Sequence, residues 1–344
     1  PDTDLKYHNR IRFMPSGLRS PVDYVMSHLS CHVRSSLCQF SAIAGEVYPT
    51  EYDEFLSYLS FANFDIGMMM SYSCIFSPDF YGRLLLATVI PLVVVSILAT
   101  AYCATKTLHT SLSHQIVAVR RKILSLALFF MFFIYSSVSY KIFQTFLCDP
   151  LDDGEAYLQA DYSLKCSTKL HKAYTVYASL MIAVYPIGIP AFFGWWLVRN
   201  RTYLKKPDRQ TVVHLQPFHG IWGTYKPQRY YYEVVECCRR IALTMASVFL
   251  VPNTVNQIAV VLSLAAAFVF LSESMSPFES SVDMSLYRWG NGVVLASMYV
   301  ALLLKANESN EKSGLVSAFG GVLITANVAM IVAVLVQSML LAKA

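Results

Sequence analysis

Leu84–Ala104 reads LLLATVIPLVVVSILATAYCA, an apolar run without one charged side chain. About 20 such residues, wound as a helix, cross the hydrocarbon core of a bilayer. In hydrocarbon every backbone amide must find its partner inside the structure, which leaves helices or closed barrels as the only spanning forms. The run therefore reads as a transmembrane helix. The same reading extends to Ile123–Leu147, Tyr174–Val198, Tyr230–Val251, a short Gln257–Ser272, a shorter Asn291–Leu304 and a long Leu315–Leu341. Hydrophobic residues make up 55% of the 344 and charged ones only 14%, against about 25% charged in a soluble globular chain. That charge cannot cover a soluble surface. The expected fold class is all-α, a polytopic transmembrane helix bundle of about seven spans over residues 81–344. Residues 1–80 form an N-terminal extramembrane segment in which Tyr24–Ala44 and Tyr52–Met70 read as amphipathic helices. The fifth and sixth runs have an alternative reading as one helical hairpin dipping into the bilayer. The start at Pro1, without Met or a signal peptide, is that of a fragment or a processed chain.

Orientation follows from basic residues in the short loops. Thr105–Lys122 holds Lys106, Arg120, Arg121 and Lys122 with no acid, and Arg199–Arg229 holds seven bases and one acid. Cys148–Ala173 holds five acids, Asp149, Asp152, Asp153, Glu155 and Asp161, against three lysines. The basic loops are therefore expected inside and the acidic loop outside, with the N-terminal segment outside and the C-terminus cytoplasmic. The sequon Asn307-Glu308-Ser309 then falls outside, as N-glycosylation requires. So do Cys148 and Cys166, on the side where disulfides persist. These two cysteines are expected to bond to each other, or one of them to Cys74.

The ionisable residues within the spans carry the most information. Glu236 stands three and four residues before Arg239 and Arg240, with Glu233 one turn earlier. Such spacing places all four on neighbouring faces of one helix, and charges inside a span usually face partners, water or a pathway. The candidate roles are a coupling network reaching Glu273, Asp283 or Arg288, or plain interfacial anchoring if the span begins only at Ile241. Pro186, Gly188 and Pro190 interrupt the third run, where two missing amide donors call for a kink. Trp195, Trp196, Trp222 and Trp289 map near inner boundaries as interfacial anchors. The outer acids suit a cation-concentrating entrance, Ca²⁺ ligation or a solvated turn. No catalytic motif, cofactor fingerprint or metal-ligand spacing occurs, so neither an enzyme, a cofactor nor a metal site is expected. No basic stripe interleaves with aromatics, which argues against nucleic acid.

FLCDPLDDGEAYLQADYSLKCSTKLHKAY, YASLMIAVYPIGIPAFFGWWLVRNR, YKPQRYYYEVVECCRRIALTM and SPFESSVDMSLYRWGN occur in that order between Phe146 and Asn291. Together they resemble the C-terminal membrane module of large algal, oomycete and dinoflagellate Cys-rich surface proteins, over roughly Tyr52 to Leu304. That module is described as similar to TRP-like, polycystin-related channels. The resemblance implies a cell-surface glycoprotein of the plasma or ciliary membrane, working as a homo- or hetero-oligomer or on an extracellular scaffold. The chain departs from a conventional TRP channel in its outer gaps, PNTVN and KANESNEKSG, which are too short for a pore helix and filter. Three functions compete: a channel-like subunit conducting or gating cations, a membrane anchor for a large extracellular Cys-rich or filamentous region, and a seven-span receptor.

Overall fold

A computed structural model describes residues 79–107, 113–151, 154–250 and 254–306, with Glu54 and scattered positions between 321 and 336. The amphipathic N-terminal helices, Cys74, Asp152, Asp153, Asn307 and most of the Leu315–Leu341 run lie outside the described residues. The chain runs through α1 (Phe80–Thr107), α2 (Ser113–Gln144), β1 (Cys148–Pro150), β2 (Ala156–Leu158), β3 (Asp161–Lys165), α3 (Lys169–Ile182), a π-helical turn (Ala183–Ile187) and α4 (Gly188–Arg199). A loop of short helical turns follows, including α5 (Arg201–Leu204) and α6 (His219–Trp222), before α7 (Tyr232–Phe249), α8 (Val255–Met275) and α9 (Ser281–Ala306).

Among the described residues, four helical segments are long and apolar enough to cross a membrane: Phe80–Thr105, Val119–Gln144, Lys169–Arg199 and Val255–Met275. The last runs over 21 residues, longer than the run Gln257–Ser272 suggests, because Val255 and Asn256 precede that run and Glu273, Ser274 and Met275 continue it. The burial pattern suits lipid. Ile97, Val176, Leu180 and Phe270 point outward at 60% exposure or more. Buried hydroxyls such as Ser139, Ser247 and Ser297 donate to the carbonyl four residues back on their own helices.

The acidic loop is not helical. It folds as a three-stranded antiparallel sheet in the order β1-β2-β3, so the all-α expectation fails at this one place. The strands are three to five residues long, and turn-forming Asp-Asp-Gly within the loop suits a hairpin better than a helix.

α2 is the hub. It packs on α1, α3, the loop after α5, and α7, while α7 continues to α4 and α8, and α8 pairs with α9. One core, with Tyr135, Ile142, Phe193, Leu197 and Trp222, lies on the α1–α4 side. A second, with Leu243, Val261, Val294 and Met298, lies between α7, α8 and α9. α7 belongs to both, through Cys237 in the first and Leu243 in the second.

α1 is fastened to α3 and the π turn by tyrosines. Tyr81 stacks on Tyr174 with ring centroids 4.2 Å apart. Thr88 Oγ1 lies 2.6 Å from Tyr177 Oη, and Tyr185 Oη donates to the Thr88 carbonyl. The π turn sits where Pro186 cannot donate to the ladder, and widening the helix there relieves the clash of the ring with the preceding turn. Of the four tryptophans expected as interfacial anchors, Trp195 and Trp289 are exposed, but Trp196 and Trp222 are buried. Trp196 stacks on Phe218 at 3.9 Å, because the loop after α5 folds back under the bundle.

Gly188 gives the π turn a test. A Cβ built there would stand 2.8 Å from the Ala183 carbonyl oxygen. Overpacking of this kind costs about 1–3 kcal/mol, against about 1 kcal/mol that alanine gains over glycine in a helix. Gly188→Ala is therefore expected to lower the thermal midpoint in detergent; a raised midpoint would show that the turn has no such close approach.

Candidate functional site

α7 has its polarity reversed. Tyr232, Glu233, Glu236, Arg239, Arg240, Leu243 and Ser247 recur at three- and four-residue steps and are all buried. Cys238, Met245 and Phe249, on the opposite face, are exposed. A water-soluble amphipathic helix turns its charges outward. Here the charges are inside and the apolar groups outside, the arrangement a lipid environment favours because the bundle interior is the only place a charge finds partners.

Glu236 is the centre of that face. Arg239 grips it with two bonds, Nε to Oε2 at 2.9 Å and Nη2 to Oε1 at 2.5 Å. Arg240 adds a third, Nε to Oε1 at 3.3 Å, and lays its guanidinium over the Phe132 ring of α2 at 4.4 Å. Tyr287 of α9 donates its hydroxyl to Oε2 at 3.2 Å. Tyr135 of α2 donates to the Cys237 carbonyl at 2.6 Å. One carboxylate thus joins α7 to α9 through Tyr287, while its partner Arg240 reaches α2. All three charged side chains are at most 6% exposed.

Glu233 lies one turn earlier and accepts from Tyr225 Oη at 2.7 Å. Its second oxygen, Oε1, is buried and has no hydrogen-bond partner among the described residues. Tyr225 leads down to a clasp between two loops. Tyr225 and Phe278 form an antiparallel bridge. Lys226 N donates to the Pro277 carbonyl at 2.8 Å, and Glu279 N to the Thr224 carbonyl at 3.0 Å. Ser276, which ends α8 in the left-handed conformation at φ 41°, turns the chain into this bridge. Arg209, itself buried, donates to the Tyr225 carbonyl and to Glu279 and packs over Trp222. Tyr225, Tyr232, Phe278, Met284 and Tyr287 form one aromatic-rich cluster between the clasp and the Glu236 network.

At the sheet end Cys148 and Cys166 are disulfide-bonded, with Cα atoms 6.4 Å apart. Among the described residues the acids there, Asp149, Glu155 and Asp161, are spread over the sheet and each holds a structural neighbour. Asp149 accepts from Tyr162, Glu155 from Ser167 at 2.9 Å, and Asp161 from Ser163 and the Phe80 amide, while Arg83 lies in an ion pair with Asp161 at 3.5 Å. The Ser163 hydroxyl and the backbone donors hold the Asp161 carboxyl below its ordinary pKa. These contacts use the acids as ties within the cap and to the start of α1.

Of the residues singled out in the sequence, Glu233, Glu236, Arg239 and Arg240 share one buried face, and Pro186, Gly188 and Pro190 share the break between α3 and α4. The network does not extend to Glu273 and Arg288, which pair with each other at 2.7 Å on the exposed surface. Tyr287, one residue before Arg288, reaches Glu236 instead, because helical geometry turns the two about 100° apart. Tyr225, Tyr287 and Phe132 carried no local signal. Neither did His171, whose Nε2 lies 3.7 Å from Cys148 Sγ. No family model, curated protein or solved structure matches the chain.

The sharing of Glu236 by two arginines has a measurable consequence. Glu236→Gln leaves two buried guanidinium groups without their carboxylate and is expected to cost about 3–5 kcal/mol, more than either Arg239→Gln or Arg240→Gln. The double change Glu236→Gln/Arg239→Gln is expected to cost less than the sum of its singles by about 1 kcal/mol or more. Unfolding in mixed micelles reads all four proteins; strict additivity would mean that the three groups do not form one unit.

Proposed function

We propose that the chain is a channel-like subunit of an oligomeric membrane assembly, conducting or gating cations, in which α7 is the moving part. The observation that carries this reading is the buried Glu236–Arg239–Arg240 unit in the interior of the bundle. Charges placed there are costly and mark pathways or switching elements far more often than scaffolding. The unit touches α2 and α9, and Glu233 and Tyr225 lead from the same helix to the loop clasp, so displacement of the clasp alters the setting of the charges. Discrete repacking at a bistable interface is how such small shifts become large ones. The outer gaps are short, and the conducting path accordingly lies between copies of the chain. The plasma or ciliary membrane is its setting, with the sheet end outside and the clasp in the cytoplasm.

A second reading, an anchor for an extracellular region, has one observation of its own. Asp161 binds both the Phe80 amide and Arg83, so the point where the N-terminal segment enters α1 is tied to the disulfide-closed sheet. A load arriving from residues before Phe80 would be shared with α2 and α3.

Liposomes carrying the purified chain separate the two. The channel reading expects a K⁺ gradient to collapse faster than in empty liposomes, with Arg239→Gln changing the rate about fivefold or more, the scale of a coupling energy of about 1 kcal/mol. Liposomes that hold the gradient as well as empty ones, at either polarity and with the helical content of the chain intact, would overturn the channel reading and leave the anchor.

A further inference from the structure

Cys148, Cys166 and His171 offer three ligand atoms that all lie within 4.8 Å of one another. We propose that these residues form a thiol-gated zinc site, closed as a disulfide in this structure and able to take one Zn²⁺ when the disulfide is reduced. The inference is independent of whether the bundle conducts.

Strand pairing, backbone hydrogen bonds and a helix cap hold the three donors alongside the S–S bond. Cys148 is paired with Leu158 across β1 and β2, and Cys166 N donates to the Ala156 carbonyl at 2.8 Å. His171 sits in the first turn of α3, whose start is capped by the Thr168 hydroxyl accepting from the His171 amide. His171 is buried. Its Nδ1 lies 2.9 Å from Tyr81 Oη, and Tyr81 is itself fixed by its stack on Tyr174. Nε2 is thereby aimed at the sulfur of Cys148, at 3.7 Å. In tetrahedral zinc sites with Zn–S of about 2.3 Å and Zn–N of about 2.0–2.1 Å, neighbouring ligand atoms stand roughly 3.5–4 Å apart. The Cys148–His171 pair already has that spacing, and rotation of the two freed cysteine side chains supplies the remaining separation. A hydrogen bond from the far ring nitrogen is the usual support of a metal-binding histidine. In the tautomer that carries its proton on Nδ1, that nitrogen donates to Tyr81 Oη and leaves the Nε2 lone pair for the metal.

The chemistry balances with a dithiol as reductant. Exchange with the dithiol breaks the Cys148–Cys166 bond, reduces both sulfurs to thiols and oxidises the dithiol to its own disulfide. Zn²⁺ then replaces the two thiol protons, which pass to solvent, and binds both thiolates and Nε2, with water in the fourth position. While bound, the metal keeps the sulfurs apart and blocks reclosure.

The test uses the full chain in detergent micelles, reduced with a phosphine and titrated with Co²⁺, whose tetrahedral thiolate complexes absorb strongly. One Co²⁺ per reduced chain is expected, displaced by Zn²⁺, with no such absorption from the oxidised chain. The Cys148→Ser/Cys166→Ser variant, which keeps every other thiol, is expected to lose the signal, and Tyr81→Phe to weaken metal binding about 10–100-fold. Three outcomes would overturn the proposal: no absorption from reduced chain whose circular dichroism is unchanged, loss of folded structure on reduction even with Zn²⁺ present, or full absorption in the double serine variant.

Discussion

One carboxylate shared by two guanidinium groups sets the conditions under which this bundle can exist. Glu236, Arg239 and Arg240 are buried where α7 meets α2 and α9, and a charge taken out of water is stable only with its partners in place. The partners are fixed from several directions: Arg240 on Phe132 of α2, Glu236 under Tyr287 of α9, and Arg239 along both oxygens of Glu236. Moving α7 against α2 or α9 breaks at least one of these contacts. The charges therefore define the register of α7, whereas apolar packing alone would tolerate sliding.

The two ends of the bundle are built on different principles. At the sheet end a disulfide and a three-stranded sheet close a loop of 18 residues' separation, and Asp161 ties it to the head of α1. At the other end no covalent link holds the loops among the described residues. The bridge between Tyr225 and Phe278, with Arg209 beneath it, depends on hydrogen bonds and one ion pair to a partly exposed glutamate. The first end is covalently closed, and α7 with its charges stands next to the one joined by hydrogen bonds. This contrast gives the proposed coupling a direction, from the clasp through Tyr225 and Glu233 into the helix.

Much of the helical frame is legible in the sequence, for a simple reason. A run such as Leu84–Ala104 has no other way of satisfying its amides in hydrocarbon, and the break at Pro186 follows from a missing donor. The acidic loop was illegible as a sheet because strands of three to five residues carry too few positions for an alternating pattern. Spacing alone shows that Glu236 can meet Arg239 or Arg240, but not that Arg239 takes the two-bond grip; that depends on Phe132 drawing Arg240 toward α2. Trp222, expected at a boundary, is instead buried against Arg209 at 4.9 Å. Contacts between distant elements leave no mark on local sequence.

The proposed role of α7 requires a helix with its polar face inward and its apolar face in lipid. Nitroxide labels placed singly along α7 of the reconstituted protein measure this directly, through collisions with apolar oxygen and with a water-soluble nickel chelate. Labels at Cys238, Met245 and Phe249 should be reached by oxygen and shielded from the chelate, while labels at Leu243 and Ser247 should be shielded from both, with a period close to 3.6 residues. Ready access of the chelate to Met245 and Phe249, or oxygen access greatest at Leu243 and Ser247, would contradict it.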